Sequence, residues 1–144
     1  MRAFPPVVDL VPHAPPTLAI DELISCSDGK AHVRFVVREN GLFVQNGAVD
    51  TVVTLELMAQ AVAACLGYEA FLQGGGVRVG MVVSCRKFTL ARPRLLVGET
   101  FHIHVVRVRG TDDVSNFDAE TLDVEGQPVS RATMTLVHGD KPPD

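Results

Sequence analysis

The residues best placed to do chemistry are an acid and an amide inside an apolar run. Residues 52–66 read VVTLELMAQAVAACL, and Glu56 is the only charged side chain among them. A segment apolar on every face is a helix buried in a core rather than lying on a surface. Burying a carboxylate there costs several kcal/mol, roughly, unless a partner or a use offsets it. Glu56 and Gln60 are four apart, so they share a helix face and can line one cavity. One reading is a structural acid hydrogen-bonded by Gln60 and backbone donors. The other is a catalytic acid or base whose pKa desolvation raises. The second predicts Glu56 more than half buried in a cleft beside Gln60.

Histidine is the natural partner for such an acid, and the chain has five. His13 lies in a proline-rich segment, where it either anchors that loop or reaches Glu56 as a second catalytic group. His32, His102 and His104 fall on apparent strands and are expected to face solvent or an interface. His138 precedes a polar tail. His102 and His104 share a strand face, but no third ligand is evident, so no metal site is expected. No serine elbow or phosphate loop is present. Gly74, Gly75 and Gly76 lack a following Lys-Ser/Thr and read as a helix stop.

The 144 residues fit one domain with a sizeable core, and 47% hydrophobic against 21% charged residues describes a globular chain. A net charge of -4 argues against a nucleic-acid partner. Arg86, Lys87, Arg92 and Arg94 form the one dense basic run. Cys26, Cys65 and Cys85 show no C-x-x-C spacing, so reduced thiols are expected instead of a disulfide framework or zinc site. The N-terminus has no continuous apolar h-region. The run at 52–66 is short for a membrane span. These features predict a cytoplasmic protein with no membrane span.

The elements that must position Glu56 follow from pattern. Residues 1–16 are irregular, with room for one helical turn. Two strands are predicted at 18–24 and 31–38, joined by a turn at Asp28-Gly29. Asp50 is a candidate N-cap for a central helix at 51–72. Four strands follow in a meander, at 78–90, 100–109, 117–124 and 127–137. In the second of them the alternation of Phe101, Ile103 and Val105 breaks at Arg107, which predicts a bulge or an exposed tip. Residues 139–144 read as a flexible tail. A sheet of about six strands must wrap so apolar a helix. The prediction is one α+β domain over 1–144, with an antiparallel sheet around one long helix, the hotdog arrangement.

Three motifs, in order, carry a resemblance. The segment from Val11 through His13 and Pro16 to Asp21 resembles the P-H-x-x-P-x-L-L-x-D opening of (3R)-hydroxyacyl-carrier-protein dehydratases of the FabA/FabZ type. Leu55-Glu56-Leu57-Met58-Ala59-Gln60 resembles their central-helix E-x-M-A-Q. Gly80, Arg86-Lys87-Phe88, Pro93 and Gly98-Glu99 resemble a later strand segment. The run from Glu56 to Tyr68 is closer still to the dehydratase-like proteins of aryl-polyene biosynthesis clusters. The resemblance implies a hotdog fold, a carrier-protein-bound or coenzyme-A-bound acyl thioester as substrate, no cofactor, and an active site at the interface of a dimer. That dimer could be a homodimer, a higher oligomer, or a heterodimer with a dehydratase homologue. Edge pairing of two sheets is the expected mode.

It implies roles as well. Glu56 becomes the catalytic acid/base and His13 its candidate partner. Gln60, Asn46, Val52, Val53 and Gly80 are expected to meet the substrate, with the N–H groups at the helix start polarising the thioester carbonyl. One departure matters. The resembled dehydratases carry a second catalytic group, a His in a G-H-F-P loop before the helix. Here residues 43–50 read FVQNGAVD and contain none. Elimination of water needs a base and an acid. Three functions therefore remain: a dehydratase, a thioesterase using the helix carboxylate alone, or a partner subunit whose mate supplies the His.

Overall fold

The computed structural model describes residues 4–13, 17–41, 43–111 and 113–139. Residues 14–16 of the proline-rich motif, and the expected tail beyond Gly139, lie outside them. The chain runs through a 3-10 turn at Val7–Asp9, strands β1 (Glu22–Ser27), β2 (Lys30–Val36) and β3 (Ala48–Asp50), and a 3-10 turn at Thr51–Val53. Helix α1 (Thr54–Leu72) follows, then β4 (Val79–Leu90), β5 (Arg94–Leu96), β6 (Thr100–Gly110), β7 (Val114–Asp123) and β8 (Pro128–Gly139). Six strands form one antiparallel sheet in the order β1-β2-β6-β7-β8-β4, while β3 and β5 pair separately.

Two expectations change. The strands after the helix are not a simple meander, because β4 pairs with β8 at the far edge and β6 returns to β2. Helix α1 crosses the concave face, so the strand leaving it enters at the opposite margin. The first strand also begins later than predicted. The N–H groups of Ala19 and Ile20 bond the side chain of Gln60 instead of joining a ladder. The bulge expected near Arg107 is present, as a register shift between Arg107 and Arg109.

The inner sheet face supplies Val33, Phe35, Phe101, Ile103, Val105, Phe117 and Met134, all buried against Met58, Ala61, Val62 and Cys65 of α1. Each large side chain so buried contributes about 1.5–3 kcal/mol. From Thr51 to Leu72 the helical run is long and apolar enough to cross a membrane, contrary to the length argument above. What assigns it to the core is its packing inside the protein, which buries 67% of its most apolar 18-residue window. Asp50 caps the start through Oδ1, which accepts from the Val52 N–H at 2.9 Å. Gly74, with φ +79°, stops the helix where the glycine run begins.

Small residues on α1 let the N-terminal segment lie on it. At Gly67 a Cβ would stand 1.8 Å from the Leu10 carbonyl oxygen, so only glycine permits that approach. Leu10 and Val11 are buried there. The residues just before His13 are thus pressed on the helix that carries Glu56.

On the outer face, the pairing of β2 with β6 sets His32 opposite His104. His32 Nε2 lies 2.8 Å from His102 Nδ1, and the His32 and His104 rings stack at 4.2 Å. His32 is the third imidazole that strand periodicity alone could not bring in. Among the described residues no group of three or more His, Cys, Asp or Glu is arranged to hold a metal. Burial first, then the two neighbouring imidazoles, push the His32 pKa from 6.5 down to about 4. A depressed histidine gives stability that is present above 6.5 and lost as pH falls toward the folded value, because the unfolded chain takes up the proton first. The expected result is a melting temperature that falls between about pH 6.5 and about pH 4, with a shallower fall in His32→Gln. Equal slopes in both proteins would contradict it.

Candidate active site

Glu56 occupies the first turn of α1, where its carboxylate has two side-chain donors. His13 Nε2 lies 3.3 Å from Glu56 Oε1, and Gln60 Nε2 donates to the same oxygen at 3.1 Å. The Glu56 side chain is 41% exposed and that of His13 24%. The Glu56 side chain is therefore partly buried and keeps some contact with solvent. Among the described residues Oε2 has no hydrogen-bond partner, so one carboxylate oxygen is tethered and the other is available.

The expected upward shift of the Glu56 pKa is not found. Its pKa lies below the ordinary carboxylate value of 4.5, chiefly because of the hydrogen bond from His13. Burial pushes the other way, and the Gln60 bond and the charge of His13 add to the lowering. Donors to the charged form outweigh desolvation. Glu56 is an ionised carboxylate near neutrality, suited to accept a proton and not to give one.

Gln60 reaches Glu56, as their spacing predicts, and it also holds the N-terminal segment. It is fully buried and every hydrogen-bonding position of its amide is used. Oε1 accepts from Ala19 N–H at 2.9 Å and Ile20 N–H at 3.3 Å, while Nε2 donates to Thr17 O at 2.8 Å and to Glu56. Such an amide cannot bind substrate without breaking one of these bonds. It fastens the chain after His13 to the helix, as Gly67 and Leu10 fasten the chain before it. His13 is held over Glu56 between two anchors. Its Nδ1 is buried without a partner among the described residues.

The other expected contacts divide. Val53 lines both a small apolar slot of 70 Å³, formed with Ala19, Phe35, Val37, Phe43 and Leu57, and a wider cleft of 580 Å³ that includes Asn46, Asp50 and Arg94. Ala19 both bonds Gln60 and lines the slot, while Glu56 and His13 line neither the slot nor the wider cleft. Asn46 sits at the exposed tip of an Asn-Gly turn with φ +53° and faces the wider cleft. The N–H of Val52 is occupied by Asp50, so it does not polarise a carbonyl. Gly80 does not belong to the site. It pairs with His138, and a Cβ there would stand 2.6 Å from Val137 O. His138 lines a pocket with Glu69 and Gln73, at the end of α1 remote from Glu56.

Sequence reasoning missed Asp21 as a positioning residue. Its carboxylate accepts from Val36 N–H at 2.7 Å and Arg38 at 2.5 Å, tying the segment after His13 to β2. The closing Asp of the proline-rich motif was the available signal. His138 also differs from expectation: it is buried in β8, with Nε2 2.8 Å from Ser115 Oγ and Nδ1 2.8 Å from Arg78. Arg78 must donate to Nδ1, so Nε2 carries the proton and Ser115 accepts it. Ser115 is not activated as a nucleophile.

A six-stranded sheet around one long helix, with Glu56 in the first turn of that helix, is the frame against which the chain is compared. The chain belongs to the ApeP-like family, described as ApeP dehydratase, whose family model matches residues 5–143. Among solved structures, it is similar to a chain of the dehydratase heterocomplex ApeI:P from Xenorhabdus doucetiae, at 20% identity and TM-score 0.90, over 96% of this chain and 93% of that one. It is also similar to a hypothetical thioesterase with coenzyme A from Streptococcus pneumoniae TIGR4, at 17% identity and TM-score 0.62, over 85% and 88%. The PaaI protein of the E. coli phenylacetic acid degradation operon matches at 16% identity and TM-score 0.59, over 80% of each chain. No curated protein matches the chain.

Proposed function

We propose that this chain is the carboxylate-bearing member of an acyl-thioester dehydratase assembly, with Glu56 as general base and His13 as the group that keeps it ionised. The observation that carries the reading is the 3.3 Å approach of His13 Nε2 to Glu56 Oε1, with Oε2 left without a hydrogen-bond partner among the described residues. Dehydration of a 3-hydroxyacyl thioester needs a base for the α-proton and an acid for the departing hydroxyl. Glu56 serves as the base. The loop at 43–50 carries no His, and its one ionisable side chain, Asp50, caps the helix start. The acid then comes from a second subunit. Membership of the ApeP-like family and the likeness to a chain of a dehydratase heterocomplex support a dehydratase homologue in that place. Strand β4 offers it an edge, with Met81, Val82 and Val83 exposed.

The free carboxylate oxygen also favours a second reading, because an ionised base that orients water suffices for thioester hydrolysis. One experiment separates the two. Turnover of 3-hydroxyacyl and saturated acyl thioesters, on carrier protein and on coenzyme A, is measured with the chain alone and with a dehydratase homologue added. The expected result is weak dehydration alone and at least about 10²-fold more in the mixture, without hydrolysis of the saturated ester. Brisk dehydration by the chain alone would remove the partner requirement, and hydrolysis of the saturated ester would favour the thioesterase.

A further inference from the structure

Helix α1 and the edge strand β1 bring two thiols together far from the Glu56 pair. Cys26 Sγ and Cys65 Sγ lie 3.8 Å apart, although the residues are 39 positions apart in the chain. Both are free. They differ in surroundings. Cys65 is fully buried in the middle of α1, while Cys26 is half-buried and opens into a cleft of 340 Å³ shared with Asp28, Tyr68, Glu69 and Arg107. One thiol can thus be reached from solvent and the other only through the first.

We propose that Cys26 and Cys65 are a peroxide-sensitive thiol pair, in which Cys26 is the reacting thiol and Cys65 the resolving one. The hydrogen bond between the two thiols holds the Cys26 pKa below the usual thiol value, with a smaller contribution from Arg107, against burial and Glu69. The same bond and burial push the Cys65 thiol up, so it stays protonated until it is used. A hydroperoxide reaching the cleft is attacked at its terminal oxygen by the Cys26 thiolate. The O–O bond breaks, the remaining oxygen leaves as an alcohol or water after taking a proton, and Cys26 becomes a sulfenic acid. Cys65 sulfur then attacks Cys26 sulfur. The S–O bond breaks, and the hydroxide leaves as water with the Cys65 proton. Two electrons pass from the thiols to the peroxide, and one disulfide forms.

The geometry allows the last step, because the sulfurs need to close from 3.8 Å to about 2.05 Å, a movement within reach of side-chain rotation on the half-exposed Cys26. The link would fasten β1, an edge strand with a register shift between Leu23 and Ser25, to the central helix.

The test uses the full chain with Cys85→Ser, since Cys85 is exposed and would couple molecules to one another. The folded protein is treated with hydrogen peroxide, quenched and mapped by peptide mass. The expected result is an intramolecular Cys26–Cys65 link with loss of two hydrogens, a melting temperature raised by roughly 5–10 °C, and reversal of both by dithiothreitol. In Cys65→Ala the expected product is a Cys26 sulfenic acid captured by a dimedone-type reagent. Retention of both thiols, or oxidation of Cys26 to a sulfinic acid with Cys65 present and no link, would overturn the proposal. So would a Cys65→Ala protein in which Cys26 captures no reagent.

Discussion

Glu56→Gln is expected to lower dehydration of a 3-hydroxyacyl thioester by about 10²–10⁴-fold, while the melting temperature moves by only a few degrees. The amide keeps an oxygen for His13 Nε2 and for Gln60 but cannot take the α-proton. At 41% exposure the side chain remains in partial contact with water, so loss of its charge is a modest structural event. The pH dependence gives a finer test. The Glu56 pKa is lowered, with the His13 hydrogen bond as the largest cause. If Glu56 is the base, the acidic limb of kcat/KM falls below the ordinary carboxylate value of 4.5. In His13→Gln that limb should move upward, because the main donor to the charged form is gone and burial acts with less opposition. The same sign governs stability: what the charged form of Glu56 contributes is present above 4.5 and lost as pH falls through the lowered value. A limb that stays in place in His13→Gln would show that His13 packs the loop without tuning Glu56. A Glu56→Gln protein that melts early yet keeps its rate would make the carboxylate structural.

The pairing of Glu56 with Gln60 was legible because four-residue spacing on a helix is a local property, and the apolar run that holds them is unmistakable. The direction of the Glu56 shift was not. Burial is visible in composition, but His13 arrives from 43 residues upstream, and whether its nitrogen reaches the carboxylate depends on two anchors. One is the Leu10 backbone on Gly67, and the other is Thr17 to Ile20 on Gln60. A mid-helix glycine and a buried amide show their purpose only once the partner chain is in place. Gly80 is a related case: its place in a motif pointed to a substrate contact, and the strand packed against it, with Val137 O 2.6 Å from where a Cβ would stand, is not visible in the sequence. The short strands β3 and β5 have three residues each, too few for alternation to show. The position of β4 beyond β8 and the approach of His32 to His102 and His104 are matters of strand order. Periodicity within a strand gives which face a residue takes and says nothing of which strand lies beside it.

Gln60→Leu is expected to damage stability and turnover together, and by more than the loss of one contact. Leucine fills much the same volume, so packing around the site is largely kept. What disappears is every partner of the amide at once. The N–H groups of Ala19 and Ile20 lose their acceptor, Thr17 O loses its donor, and Glu56 keeps only His13. A buried group left without a partner costs about 1–3 kcal/mol, and relaxation of the 17–20 segment toward water will recover part of it. A net loss of about 2–4 kcal/mol is therefore expected, read as a lowered midpoint in denaturant with little change in slope. The functional effect follows from geometry. With one of its two anchors released, the segment bearing His13 no longer holds the imidazole on Glu56, and kcat falls even in protein that remains folded. Gln60→Glu separates the two effects, since it can still accept from Ala19 and Ile20 but brings a second carboxylate beside Glu56. That variant should retain more of the anchoring than Gln60→Leu yet raise the Glu56 pKa through like-charge repulsion, moving the acidic limb of kcat/KM upward. If Gln60→Leu keeps wild-type turnover in its folded fraction, the clamp is structural and His13 needs no help to stay over the carboxylate.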